Sequence, residues 1–189
     1  EQDVGISQRA IRVHHQAVEP EHAGGQRGID GVDLARPLSH ADACAINAAM
    51  NRYAVLVWRD QPLTVQQQVD LAKTFGTLDV GLNRVYGRRS RFGNDTVLDI
   101  SNVDENGDIS RRDAQKNLSN FANQLWHSDS SFLNPRAAYS MLHAVVLPSW
   151  GGNTEFADLR DAWDTLDPSL QAEVAPLVAE HYALHTRLM

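Results

Sequence analysis

The run Leu125-Trp126-His127-Ser128-Asp129-Ser130-Ser131-Phe132 sets an imidazole and a carboxylate two residues apart inside an apolar frame. In an extended backbone, side chains at i and i+2 leave the same face roughly 6–7 Å apart along the chain, so both can converge on one metal ion. His127 and Asp129 are therefore the candidate metal ligands and the candidate catalytic pair. An imidazole with a carboxylate oxygen makes two thirds of the 2-His-1-carboxylate arrangement, which holds non-haem Fe(II) on one side and leaves the opposite positions open. The competing reading is a hydrogen-bonded polar pair with no metal.

His-x-Asp alone is a weak pattern, because the chain holds a second copy, His40-Ala41-Asp42. There Ser39 precedes a helical pattern with Asp42 three residues on, as in a capping box, and on a helix positions i and i+2 diverge by about 200° and cannot chelate. His143 alternates with apolar residues in a strand-like run and reads as a packed, hydrogen-bonded side chain. His181 and His185 have the spacing of a helical metal pair, but their surroundings alternate like a strand.

The elements that must position the pair follow from periodicity and punctuation. Residues 1–27 are polar, rich in His and Gly, and read as a variable N-terminal segment, with ordered structure expected from about Ile29. Ile46, Met50 and Tyr53, at i, i+4 and i+7 after Ser39, predict an amphipathic helix containing Cys44, followed at once by the strand-like Ala54-Val55-Leu56-Val57-Trp58. Thr64 caps a second predicted helix with Val65, Val69 and Ala72 on one face and Gly76 as its stop. Residues 79–95 read as a loop, Thr96-Val97-Leu98-Asp99-Ile100 as a strand, and Asp104-Glu105-Asn106-Gly107 as a turn. Residues 138–147 suit a core strand that ends at Pro148. Gly151-Gly152-Asn153 turns the chain into Thr154-Glu155-Phe156-Ala157, Asp158 caps a short helix, Asp167-Pro168 opens another, and 178–184 again alternates like a strand. The reading is mixed α and β, with strands around the metal site.

Composition narrows the function classes. A chain of 189 residues, 42% hydrophobic and 22% charged, suits one conventional globular domain. A net charge of -7 disfavours nonspecific binding to nucleic acid or to an anionic membrane, both of which need excess Lys and Arg. The basic stretch 84–91 reads as a solvated loop. The single cysteine, Cys44, excludes an internal disulfide, fits a reducing compartment and is expected to pack within its helix. The N-terminus shows no export signal, and no apolar run is long enough to span a bilayer, so a cytoplasmic protein is expected.

Several blocks taken in order resemble the Fe(II)/2-oxoglutarate-dependent dioxygenases of the taurine dioxygenase and 2,4-dichlorophenoxyacetate dioxygenase (TauD/TfdA) family. They are Gly31-Val32-Asp33-Leu34, the predicted strand Ala54-Val55-Leu56-Val57-Trp58 plus Pro62 and the Gln66-Gln67-Gln68 helix ending Phe75-Gly76, Asn123-Gln124-Leu125-Trp126-His127-Ser128-Asp129-Ser130-Ser131-Phe132, and Gly151-Gly152-Asn153-Thr154-Glu155-Phe156-Ala157-Asp158. The later blocks look closer to the phenoxyacetate branch. The resemblance implies an α+β fold built on a double-stranded β-helix, or jelly roll, with flanking helices. It implies Fe(II), with 2-oxoglutarate and O2 as cosubstrates, and His127 and Asp129 as two iron ligands. It also implies that Thr154 helps bind 2-oxoglutarate, that Asn123 lines the cofactor and substrate pocket, and that Arg84 pairs with a small acidic organic substrate.

The implied reaction is hydroxylation with release of succinate and CO2; on a phenoxyacetate herbicide acid it would yield a phenol and glyoxylate, and the alternative substrate is a taurine-like alkylsulfonate. The family's third ligand, a distant His, and its 2-oxoglutarate-binding Arg lie downstream of the Gly151 block and find no matching position before Met189. The expectation is therefore that residues 28–189 form the N-terminal portion of such a domain. A catalytically inactive fragment and a non-enzymatic β-fold binding module stand as the other hypotheses, and association into a homo-oligomer is left open.

Overall fold

A computed structural model of the chain describes residues 7–13, 31–79, 90–104, 106–111, 125–129, 133, 135–147, 149–150 and 154–180. Three antiparallel strands form one sheet: β1 (Ser7–Val13) lies in the centre, flanked by β2 (Leu98–Ser101) and β3 (Tyr139–Val146). The register sets Arg9 opposite both Asp99 and His143, and Arg12 opposite Ser140. Ordered structure thus begins well before Ile29, a correction to the sequence expectation for residues 1–27. Its physical reason is that β1 owes its pairing to segments about 90 and 130 residues away, which no local period reveals. The predicted strand at 54–58 is also corrected: it is an extended connection that follows Ala54 at φ 61° and carries only a single bridge residue, Val57.

Local chemistry sets the helices. In α1 (His40–Tyr53) the Ser39 hydroxyl accepts the Asp42 amide at 3.1 Å and donates to Asp42 Oδ2 at 2.6 Å, so His40-Ala41-Asp42 is a helix start. Cys44 is exposed on this helix, with Sγ 3.6 Å from His40 Nε2, so the expected packing role does not hold. In α2 (Val65–Lys73) Thr64 and Gln67 form a reciprocal capping box, with Gln67 N donating to Thr64 Oγ1 and Thr64 N donating to Gln67 Oε1. Asp158 caps α3 (Leu159–Asp164), and Asp167 with Pro168 at the first helical turn opens α4 (Pro168–Val174). The turn at 104–108 is also present, with Gly107 at φ 93° and Asp104 Oδ1 accepting from Asn106 N and Asp108 N.

The core forms where α2 meets β3. Val69, Ala72 and Val97 bury one cluster, Leu34, Leu63 and Leu71 another, and Phe75 and Met141 pack against both. Glutamine amides fasten the 31–35 segment to this layer: Gln61 Oε1 accepts from Leu34 N at 3.0 Å, and Gln67 Nε2 donates to the Ala35 carbonyl at 3.1 Å. Tyr139 stands edge-on to Phe75 with ring centroids 6.0 Å apart, and its hydroxyl donates to Asn47 Oδ1 at 2.8 Å, joining β3 to α1. Arg160 Nη1 donates to the Asn51 carbonyl at 3.2 Å and joins α3 to the end of the same helix.

Alternation therefore divides β3 in two. Tyr139 and Met141 face the α2 layer, whereas Ser140, Leu142, Ala144 and Val146 point to the opposite, exposed side. Residues 138–147 do form a strand, but only one face of it is core. No helix among the described residues is long and apolar enough to cross a membrane.

Candidate metal centre

Residues 126–128 run without helical structure, and the two-residue spacing brings the predicted pair together: His127 Nε2 lies 3.4 Å from Asp129 Oδ1. The opposite ring nitrogen, Nδ1, is 2.6 Å from the Leu125 carbonyl oxygen. A carbonyl oxygen only accepts, so Nδ1 carries a proton, and Nε2 is the ring nitrogen turned towards Asp129. Asp129 is oriented in the same manner from its far side, because Ser140 Oγ on β3 donates to Oδ2 at 2.9 Å. Each side chain is held by its outer polar atom, and the two inner atoms face one another.

This donor set fits a divalent cation. Two ligands about 2.1 Å from one ion and at right angles to each other stand about 3.0 Å apart, so a gap of 3.4 Å needs only a small closing movement. One imidazole with one carboxylate suits Fe(II) or Mn(II) and lacks the thiolates that select softer ions. Among the described residues no group of three or more His, Cys, Asp or Glu side chains gathers around a common point.

The other candidates are placed unequally. Thr154 lies exposed in the irregular segment that leads to the Asp158 cap of α3. Arg84, Asn123, His181 and His185 fall outside the described residues. His143 is half-buried on β3, on the same face as Tyr139 and Met141. The apolar frame of the pair is exposed, Trp126 by 70%. Ser140 escaped the sequence reading. The signal available for it is a lone hydroxyl beginning the alternate face of an otherwise apolar strand, Ser140-Met141-Leu142-His143-Ala144.

A family profile described as taurine catabolism dioxygenase TauD, TfdA family matches residues 17–188. The chain belongs to this family. It is 47% identical over 170 residues to the alpha-ketoglutarate-dependent 2,4-dichlorophenoxyacetate dioxygenase of Cupriavidus pinatubonensis, an alignment covering 90% of the chain and 59% of that relative. It is 37% identical to the (S)-phenoxypropionate/alpha-ketoglutarate-dioxygenase of Sphingobium herbicidovorans, over 83% of the chain and 50% of that protein. Among solved structures, AAD-2 in complex with Mn(II) and N-oxalylglycine superposes with a TM-score of 0.68 at 35% identity, over 85% of this chain and 54% of that one. The chain thus spans between half and three fifths of the length of these TauD/TfdA relatives.

Proposed function

We propose that residues 28–189, with β1 added to their sheet, are the N-terminal portion of a jelly-roll dioxygenase that uses Fe(II), 2-oxoglutarate and O2 to hydroxylate a small organic acid, best matched by a phenoxyacetate. The observation that carries the reading is the convergence of His127 Nε2 and Asp129 Oδ1 to 3.4 Å with both outer atoms already hydrogen-bonded. It is supported by the phenoxyacetate and phenoxypropionate dioxygenases among the relatives. A small-molecule catalyst with no need of nucleic acid or membrane agrees with the charge of -7, and the proposed setting is cytoplasmic.

Fe(II) held by His127 and Asp129 would, with 2-oxoglutarate and O2, supply the oxidising power for an unactivated C–H bond, 2-oxoglutarate being converted to succinate and CO2. The chain's own part is orientation. His127 presents Nε2 and Asp129 presents Oδ1 from one side, leaving the opposite side for the cosubstrates. Thr154 and Asn123 are assigned to 2-oxoglutarate, and Asn123 and Arg84 to the substrate. A cation is required there because a carboxylate brought against apolar walls is costly to desolvate unpaired. Hydroxylation beside an ether oxygen gives a hemiacetal, which collapses to a phenol and glyoxylate.

The test is succinate formation by the full-length protein with Fe(II), 2-oxoglutarate and a panel of phenoxyacetates, phenoxypropionates and alkylsulfonates. Turnover is expected with the first class, absent without Fe(II), and reduced at least 100-fold in His127→Ala. Preference for alkylsulfonates would move the chain to the taurine branch. Unchanged succinate formation in His127→Ala would remove the assigned site.

A further inference from the structure

The Asp129 carboxylate is gripped from outside its own segment. Ser140 lies 11 residues along the chain, and its hydroxyl donates to Oδ2 at 2.9 Å while Oδ1 is the oxygen turned towards His127. Ser140 is a well-fixed donor. Its backbone belongs to β3, paired with central strand β1 opposite Arg12, and its neighbours Tyr139 and Met141 are packed into the α2 core. Tyr139 is tied further to Asn47 of α1. Residues 125–129 belong to no helix or strand, and both ligand side chains are more than a third exposed.

We propose that Ser140 is a positioning residue of the metal centre, conveying the rigidity of the sheet to Asp129 and holding Oδ1 turned towards His127. Without that hydroxyl the exposed carboxylate would be freer to rotate or swing away from a bound cation. This inference rests on the reading of His127 and Asp129 as metal ligands, and it adds an outer partner drawn from a different element. Outer hydrogen bonds of this kind typically change metal affinity by about 10- to 100-fold.

The experiment is Mn(II) titration of the full chain followed by electron paramagnetic resonance, with no turnover required. Ser140→Ala is expected to weaken Mn(II) binding by about 10- to 100-fold. Ser140→Thr, which keeps the hydroxyl, is expected to restore affinity to within a few-fold of the parent. Because Ser140 is exposed, the metal-free thermal midpoint of Ser140→Ala should match the parent. Parent-like Mn(II) affinity in Ser140→Ala, with binding lost in Asp129→Ala, overturns the role of Ser140 and leaves the metal-site reading standing. Binding that survives in both Asp129→Ala and His127→Ala overturns the two together. Weakened Mn(II) binding in Ser140→Ala, restored by threonine, upholds the role whatever substrate the protein turns over.

Discussion

At His127 the decisive partner is a backbone atom: the Leu125 carbonyl accepts a hydrogen bond from Nδ1–H and fixes which nitrogen faces Asp129. Exchange of that carboxylate for an amide tests the pair most directly, because Asp129→Asn keeps the shape and the Ser140 contact but removes the charge. We expect Asp129→Asn to bind Mn(II) more weakly than Ser140→Ala does, as calorimetric titration would show; equal affinities would mean that the carboxylate charge is not what holds the ion. The pair itself was legible in the sequence because its geometry is local, two residues in an extended chain. Neither outer partner was. A carbonyl leaves no mark on residue identity, and Ser140 reaches Asp129 only after β3 has found its place beside β1. Asn123 and Arg84 rest on resemblance alone.

The elements divide along the same line. Each helix start foreseen from a capping residue is present, since a cap acts within three residues of itself: Ser39, Thr64, Asp158 and Asp167 all accept a backbone amide. Thr64→Ala removes the capping box and should cost about 1 kcal/mol, visible as a lower urea midpoint with unchanged slope. In the same assay Leu71→Ala should cost about 2–5 kcal/mol, because Leu71 is buried against Leu34 and Leu63, whereas Leu170→Ala on exposed α4 should stay within about 0.5 kcal/mol. The sheet was less legible, because β1 depends on partners far along the chain. One consequence of packing β3 on α2 is a pH effect. Burial raises the Tyr139 hydroxyl above its ordinary value. Above about pH 10 the unfolded chain therefore releases a proton that the folded one retains. The contribution of Tyr139 to stability is whole below that pH and is lost as pH rises through the folded value. Tyr139→Phe should forfeit the Asn47 bond, about 1 kcal/mol at neutral pH, yet show a shallower loss of stability in alkali.

Over the whole molecule two features oppose each other, a net charge of -7 and an apolar face of β3 that is exposed among the described residues. Leu142, Ala144 and Val146 share one side of β3, with Leu142 and Val146 exposed by 45% and 37%. Leu125 and Trp126, flanking the metal pair, are exposed by 66% and 70%. Soluble monomers seldom expose large apolar patches to water, and such surfaces associate unless repulsion prevents it. Repulsion between like-charged chains is screened within about 10 Å at 0.1 M salt and within about 3 Å at 1 M, whereas apolar attraction is not weakened by salt. A polypeptide of these 189 residues should therefore self-associate more strongly as ionic strength rises, seen by sedimentation velocity as a shift to larger species at constant protein concentration. Leu142→Asp removes an apolar contact and adds repulsion on that face, so it should return the sedimentation profile towards the monomer. A profile that stays monomeric from low to high salt, in parent and variant alike, would show that the face is too small or too interrupted by Ser140 and Ala144 to drive association.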